Sequence, residues 1–355
     1  MADALAKLRE RIDALDLEIL RLVNERAGLA RDIGKIKGEA VVYRPEREAQ
    51  VLRRIAEHNP GPLPGASVTR LFTEIISACR ALEDSLSAAC LGPKGTFSEE
   101  AVIKHFGTHA PVAFSASIDD VFRAVESGAV GYGVVPIENS TEGAVGRTLD
   151  LLLSTPLRMC GEVLLPVHQN LLSRATVASE IKRIYSHTQS LAQCNRWLNQ
   201  NCPKAERVPV ASNAEAARLA SEDSGSAAIA GRTAAEHYGL AVLAANIEDE
   251  PNNTTRFAVI AKQDVPPSGK DKTSFVMSAR NRPGAIHELL TPLAQNHVSM
   301  TRLESRPSRT GLWEYVFFVD IEGHQGLDNV ARALDEIRER AAFLKILGSY
   351  PVSIS

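Results

Sequence analysis

The chain has 355 residues, 44% of them hydrophobic and 23% charged, with 40 Lys and Arg against 43 Asp and Glu. That length accommodates two or three domains, and a net charge of −3 supplies no long-range attraction for nucleic acid or an anionic membrane. No apolar run reaches the ~18 residues of a membrane span, the polar N-terminus lacks the apolar core of an export signal, and five cysteines without Cys-x-x-Cys spacing read as free thiols of a reducing cytoplasm.

Leu5, Leu8, Ile12, Leu15, Ile19, Leu22, Leu29, Ile33 and Ile36 follow one another in steps of three, four or seven, which is a heptad seam. The spacing predicts a helix over about 4–38, roughly 50 Å long at 1.5 Å per residue. A second helix starts at Pro45 and stops before Pro60, and a third carries Val68, Leu71, Phe72, Ile75, Ile76, Cys79, Leu82 and Leu86. Residues 1–86 therefore read as an all-helical unit. Three helices this long cannot bury their apolar stripes alone, so a homodimer or higher homo-oligomer is expected.

From Ala88 the period changes. Short apolar runs at 88–91, 112–114, 130–136, 163–172, 183–186, 208–211, 227–230 and 257–261 alternate with amphipathic stretches, an α/β pattern over 88–263. It is long enough for two lobes with a cleft between them, the second starting near Val163. Thr96-x-x-Glu99 and Ser117-x-x-Asp120 mark helix starts. Gln263–Asp271 is a linker by composition. Residues 272–351 read as strand (274–279), helix (284–296), strand (297–305), strand (313–320), helix (327–341) and strand (344–350), an α+β ferredoxin-like βαββαβ unit.

Charges on the helical seam are the first functional clue. Arg26 occupies a seam position, and Lys37, eleven residues on, returns to nearly the same face. Buried cations are costly unless paired, and no acid occupies the matching seam position. Either these are solvated charges on a plain hairpin, or an anionic ligand pairs them. Arg9 lies roughly 25 Å from Arg26 along a straight helix, so one small ligand meets both only if Arg9 comes from an antiparallel second chain.

Leu8-Arg9-x-x-Ile12-x-x-Leu15-Asp16, then Arg26, Gly34-Lys35-Ile36-Lys37 and Arg44-Pro45-Glu46-Arg47-Glu48 together resemble the all-helical chorismate mutase family. The resemblance implies a Claisen rearrangement of chorismate to prephenate, with no nucleophile or cofactor, catalysed by holding the compact chair and stabilising charge on the ether oxygen. It implies that Arg9 of the partner chain, Arg26 and Arg47 hold carboxylates, that Lys37 donates to the ether oxygen or a carboxylate, and that Glu48 holds the ring hydroxyl. Three positions depart from the best-known bacterial pattern: Glu83 replaces a Gln facing the ether oxygen, Cys79 replaces a common Ser, and Arg44 aligns with an Asp. Glu83 donates there only when protonated, so burial is expected to raise its pKa and mutase turnover to rise as pH falls.

Four motifs mark the α/β unit. Gly92-Pro93-Lys94-Gly95-Thr96-Phe97-Ser98 joins a strand to a helix, where glycines let amides face an anion or simply form a turn. Pro136-Ile137-Glu138-Asn139-Ser140-Thr141-Glu142-Gly143 ends a strand in a polar run. Ser186-His187-Thr188-Gln189-Ser190-Leu191-Ala192-Gln193-Cys194 again joins strand to helix; a His187/Cys194 thiol nucleophile lacks an orienting third group. Asn252-Asn253-Thr254-Thr255-Arg256-Phe257 precedes a strand. In this order the four resemble prephenate dehydratase, whose family implies two lobes like a type II periplasmic binding protein and loss of CO₂ and the ring hydroxyl from prephenate to give phenylpyruvate. On that resemblance Thr255 contacts the leaving hydroxyl, and Arg256 holds a carboxylate or builds the site. Thr96, Ser98, Asn139, Ser140, Thr141, Gln189 and Ser190 are hydrogen-bond donors, Glu138 and His187 are orienters, and Phe97 and Phe257 complete the motifs.

In the C-terminal unit Gly284-Ala285-Ile286-His287-Glu288-Leu289 opens a helix and Glu304-Ser305-Arg306-Pro307 ends a strand. Both resemble the ACT domain of prephenate dehydratases, which implies phenylalanine bound between two such domains and inhibition through a closed state. The expectation for the whole chain is a two-activity enzyme of phenylalanine synthesis under phenylalanine feedback. Lys37, Glu83 and Thr255 act on the reacting atoms, and neither cofactor nor metal is used. An arogenate-preferring dehydratase and a non-catalytic amino-acid sensor are the alternatives.

Overall fold

The computed structural model describes residues 2–37, 43–83, 86–279, 282–307 and 315–354. Three helices come first: α1 (Ala2–Lys37), α2 (Pro45–Glu57) and α3 (Gly65–Arg80). Pro45 opens α2, where a missing N–H costs nothing. α3 packs against α2 and α1. The half-buried residues of α1 lie between Val23 and Gly34, whereas every described side chain from Asp3 to Leu22 is exposed. Leu8 at 61% and Ile12 and Leu15 at 55% exposure leave the seam uncovered within one chain.

The α/β unit begins with β1 (Ala88–Leu91), α4 (Phe97–Phe106), β2 (Val112–Ser115), α5 (Ile118–Ser127), β3 (Tyr132–Asn139), β4 (Gly143–Ala144), α6 (Gly146–Ser154) and β5 (Arg158–Pro166). It continues with β6 (Asn170–Ser173), a 3-10 turn (Ala178–Glu180), β7 (Arg183–Ser186), α7 (Thr188–Gln193), α8 (Asn195–Asn201), β8 (Glu206–Pro209), α9 (Asn213–Glu222), β9 (Ser226–Ala230), α10 (Arg232–Tyr238) and β10 (Ala241–Ala244), and returns through β11 (Thr254–Ala261). Two sheets result, ordered β2-β1-β3-β11-β5, with β4 on β3, and β10-β6-β9-β7-β8. Thr96 and Ser117 accept from the backbone N–H of Glu99 and Asp120, as their helix-start spacing predicts.

The apolar run 163–172 is not one strand. It breaks between Pro166 and Asn170, so β5 closes the first sheet and the second lobe begins at Asn170 rather than near Val163. Proline has no N–H to continue a ladder. The chain crosses between lobes twice, and the crossings are stitched by Val167 N–H to Asn253 O and Ile247 N–H to Gln169 O, both 2.8 Å.

The C-terminal unit is β12 (Asp271–Ser278), α11 (Ala285–Gln295), β13 (Met300–Pro307), β14 (Tyr315–Glu322), α12 (Asp328–Arg340) and β15 (Phe343–Pro351). Its antiparallel order β13-β14-β12-β15 is the ferredoxin-like arrangement. The strand expected from 297 starts at Met300, because His297 takes a left-handed turn at φ 54°; Trp313 lies outside the described residues. One face of the sheet packs on α11 and α12 through Phe275, Met277, Leu289 and Ile337. Val276, Phe318 and Tyr350 on the other face share a core with Leu149 and Met159 of the first lobe. No described helix is long and apolar enough to cross a membrane.

Candidate active sites

The helical unit gathers Arg26, Glu48 and Glu83. Glu48, in the first turn of α2, accepts from Arg80 Nη1 at 2.6 Å. Burial pushes the Glu48 carboxyl up; Arg80 and then Arg26 pull it down, and Glu83 pushes it up. Glu83 follows α3, held by its N–H to Arg80 O at 2.9 Å. A Cβ on Gly34 of α1 would lie 3.0 Å from Glu83 Cγ, so glycine there allows the close approach. Cys79 is buried, Arg47 is exposed, and Arg44 is turned to Glu46, its Nε 2.5 Å from the carboxylate. Arg9 is exposed on the uncovered half of α1, remote from this cluster within one chain. Lys37 ends α1, and its side chain lies outside the described residues.

In the α/β unit, Thr255 on β11 and Asn139 on β3 are cross-strand partners, which places their side chains on one face. Asn139 Nδ2 donates to Thr255 Oγ1 and to Asn253 Oδ1, each at 2.8 Å. Its Oδ1 accepts from the Thr141 and Glu142 N–H groups, both 3.1 Å, and from Thr141 Oγ1 at 2.7 Å. Backbone donors can meet only the oxygen, so the amide orientation is fixed. Thr255 Oγ1 thus receives a hydrogen bond and keeps its own proton free to donate. Ser140 Oγ accepts from Thr254 N–H at 2.9 Å and braces the same turn.

The second lobe contributes Ser190, whose Oγ accepts from Asn213 Nδ2 at 2.8 Å and Gln169 Nε2 at 3.2 Å. His187 caps α7 by accepting from Gln189 N–H at 3.3 Å. Asn253 Nδ2 reaches Gln193 Oε1 at 3.5 Å, joining the two clusters across the lobes. Gln169 Oε1 and Gln193 Nε2 are buried with no protein hydrogen-bond partner among the described residues, leaving one acceptor and one donor for a ligand. Burial pushes the Cys194 thiol up to about 12, with Glu248 and Asp249 adding to it, so the cysteine is no thiolate nucleophile.

The Gly-Pro-Lys-Gly turn serves lobe contact. Gly95 (φ 89°) lies with its Cβ position 3.1 Å from Ala234 Cα, and its N–H is taken by Glu99 at 2.6 Å. Glu99 in turn meets His237 of α10 at 3.1 Å. Thr96 Oγ1 donates to Leu91 O at 3.0 Å, Phe97 packs over Gly231, and Ser98 is buried.

Three expected substrate contacts point elsewhere. Arg256 is one residue from Thr255, and strand alternation turns it to the opposite face. There its Nε donates to Glu162 at 2.8 Å and its Nη2 to the Tyr350 hydroxyl at 2.9 Å, while Nη1 is ion-paired with Asp320. With all three guanidinium nitrogens committed, it builds the junction with the C-terminal unit and is not free for a carboxylate. Phe257, 2% exposed, is a core residue beside Phe106 and Cys160. Glu138, opposite Arg256 on β3, likewise faces outward and meets Arg302 of β13 at 2.7 Å.

In the C-terminal unit, the register Ser278↔Val316 and Pro307↔Tyr315 places the end of β12, which leads to Gly284–Leu289, at the same sheet end as Glu304–Pro307. Gly284 adopts φ 79° before α11, Ala285 to His287 form its first turn, and Glu288 pairs with Arg282. Arg306 is turned to Asp150 of α6 at 3.3 Å, and Glu304 and Ser305 lie on edge strand β13. Gln193 and Asn253 stood within recognised motifs without being singled out. Arg80, Gln169, Asn213 and Arg302 carry no local signal, because each acquires its partner from a distant segment.

Comparison with known proteins identifies all three units. Residues 8–84 match the family Chorismate mutase type II, 88–265 Prephenate dehydratase and 273–339 ACT domain. A bifunctional chorismate mutase/prephenate dehydratase of Neisseria gonorrhoeae is 56% identical over 349 residues, 98% of this chain and 96% of that protein. One from Pseudomonas aeruginosa is 51% identical over 360 residues, 99% of each. The crystal structure of prephenate dehydratase from Arthrobacter aurescens in complex with L-Phe superposes with a TM-score of 0.69 at 34% identity, over 75% of this chain and 90% of that one. The three domains, in one order along nearly the full length of such relatives, show that this chain belongs to the bifunctional chorismate mutase/prephenate dehydratase family.

Proposed function

We propose that the helical unit rearranges chorismate to prephenate, that the two-lobed unit converts prephenate to phenylpyruvate, and that phenylalanine acts at the ACT domain to restrain the second step. The observation that carries this reading is the Asn139–Thr255 pair where the lobes meet. The Thr255 hydroxyl, oriented by the Asn139 amide, hydrogen-bonds to the ring hydroxyl as its C–O bond breaks; the ring carboxylate leaves as CO₂, its bonding electrons complete the aromatic ring, and the departing hydroxide becomes water with a proton that solvent supplies, directly or by restoring the one Thr255 gives up. The lobes close on the substrate in the manner of a type II periplasmic binding protein. Feeding chorismate to the purified protein and following prephenate and phenylpyruvate separately tests the whole scheme. Phenylalanine should cause prephenate to accumulate; absence of both prephenate and phenylpyruvate removes the mutase, and flux indifferent to phenylalanine removes the feedback. Arogenate offered beside prephenate fixes the substrate preference.

Glu83 stands where a donor to the ether oxygen is needed. Glu83→Gln places an amide donor there, so the variant should turn chorismate over about tenfold faster than the native chain. A native mutase rate in Glu83→Gln would remove Glu83 from this role.

Feedback runs through the same two strands that carry catalysis. Asn139 and Thr255 face the cleft, while their neighbours Glu138 and Arg256 meet Arg302 and Asp320 of the ACT domain. Arg302 lies two residues before Glu304, in the segment assigned to phenylalanine. Arg302→Leu should weaken phenylalanine inhibition about tenfold, within the usual range of coupling energies, with uninhibited dehydratase turnover intact. Calorimetric phenylalanine binding beside the inhibition curve checks this; native inhibition excludes the route.

Two copies of the chain pair through α1 and through the ACT edge. The exposed Leu8, Ile12 and Leu15 belong to the first contact, and Ile286, Met300, Leu303 and Tyr315, each at least 40% exposed, belong to the second. Apolar surface of that extent calls for a partner.

A further inference from the structure

We infer that Arg80 is a positioning residue of the mutase site, holding Glu48 in place from a foothold on the dehydratase domain. Arg80 ends α3 and is 5% exposed. A guanidinium is costly to bury unless its donors are met, and two elements meet them. Nη1 donates to Glu48 Oε1 and Nη2 to the Phe106 carbonyl, both at 2.6 Å. Phe106 closes α4 of the dehydratase domain, and carbonyls at a helix end lack an intrahelical donor. The guanidinium carbon also lies 5.3 Å from the Tyr43 ring centroid and 5.7 Å from that of Phe106, within cation–π range. Tyr43 is tied to the same helix by its hydroxyl, 2.6 Å from His105 Nε2. Arg80 therefore spans two domains, with one end on a mutase carboxylate and the other on dehydratase backbone.

The consequence follows from what Glu48 has to do. An ionised carboxylate accepts a hydrogen bond from the ring hydroxyl more strongly than the neutral acid does, and it must be held still to do so. Burial opposes ionisation, as does Glu83; Arg80 favours it most, and Arg26 of α1 adds to that. Of the charged groups beside it in sequence, Arg47 is exposed and Glu46 is paired with Arg44. Burial holds the Tyr43 and Tyr132 hydroxyls protonated, and burial followed by the Arg80 charge pushes His105 down to about 3. Arg80 occupies one carboxylate oxygen and leaves Glu48 Oε2 for the substrate. This inference rests on the reading of Glu48 as the hydroxyl-binding group.

The test uses the full-length chain in a Glu83→Gln background, so that Glu48 is the carboxyl whose titration is followed. Mutase kcat/KM is measured against pH for Arg80, Arg80→Leu and Arg80→Lys, and dehydratase turnover of prephenate is measured in parallel. Loss of the cation disfavours the carboxylate. The pH at which mutase activity rises should therefore move upward by about one unit or more in Arg80→Leu, with kcat/KM at pH 7 down about 30-fold and dehydratase turnover within about twofold of native. Arg80→Lys, which keeps the charge, should return the midpoint most of the way. If both activities of Arg80→Leu fall together, the lysine variant decides: a midpoint equal to that of Arg80→Leu overturns the inference. An unmoved midpoint in Arg80→Leu also overturns it, provided Glu48→Gln has lost mutase activity. A fully active Glu48→Gln instead overturns the underlying assignment of Glu48.

Discussion

Thr255→Ala should lower dehydratase turnover by about a thousandfold, the scale seen when a hydrogen-bond donor to developing charge is removed, while chorismate is still consumed at the native rate. The reasoning is geometric. Hydroxide is a poor leaving group, and Thr255 offers the free hydroxyl proton in the network, because its oxygen already accepts from Asn139 Nδ2. The Asn139 amide cannot turn, since its oxygen is held by two backbone N–H groups. Thr255→Ser keeps the donor and should retain much of the activity; Asn139→Ala leaves the hydroxyl without its orienting bond and should cost less than removing it. Phenylpyruvate formation from added prephenate and chorismate loss, measured on one preparation, separate this result from misfolding. Equal loss of both activities would mean damage to the fold; native dehydratase turnover would remove Thr255 from catalysis.

Arg9→Ala and Arg26→Ala should each be nearly inactive as mutases, and mixing them should restore activity. Arg26 lies close enough to Glu48 to act on its carboxyl, whereas Arg9 stands on the part of α1 whose described side chains are all exposed. If a site takes Arg9 from the partner, a mixed dimer has one site carrying both substitutions and one carrying neither. Random pairing makes half the dimers mixed, so about a quarter of all sites are intact, a signal far above either parent. Co-refolding the two variants and assaying chorismate turnover reads this directly. A mixture no better than its parents would place both arginines in separate roles or in one chain.

Periodic elements were legible because their signal is local. The seam of α1, the strand–helix alternation after Ala88 and the βαββαβ order of the last 80 or so residues follow from spacings of 3.5, 3.6 and 2 that single segments display. The same local logic fails for Arg256. A motif joins it to Thr255, yet in a strand adjacent side chains face opposite ways, so one joins the Asn139 network and the other ties Glu162 of β5 to Asp320 of the ACT domain. It fails also for the run 163–172, where apolarity is continuous and only pairing reveals that Pro166 ends one sheet and Asn170 begins another.

Thus the order of domains, the class of each fold, the apolar seam of α1, and the motifs bearing Thr255, Asn139, Arg26 and Glu48 were determined by sequence alone, since each depends on residues close together in the chain. Tertiary structure decided the rest: which motif residues share a sheet face, that Glu138 and Arg256 take the opposite one toward the ACT domain, and that Arg80 bridges Glu48 to Phe106. A buried charge or amide is satisfied by whatever partner folding brings to it, and here those partners come from segments far apart in sequence, where no local pattern records the pairing.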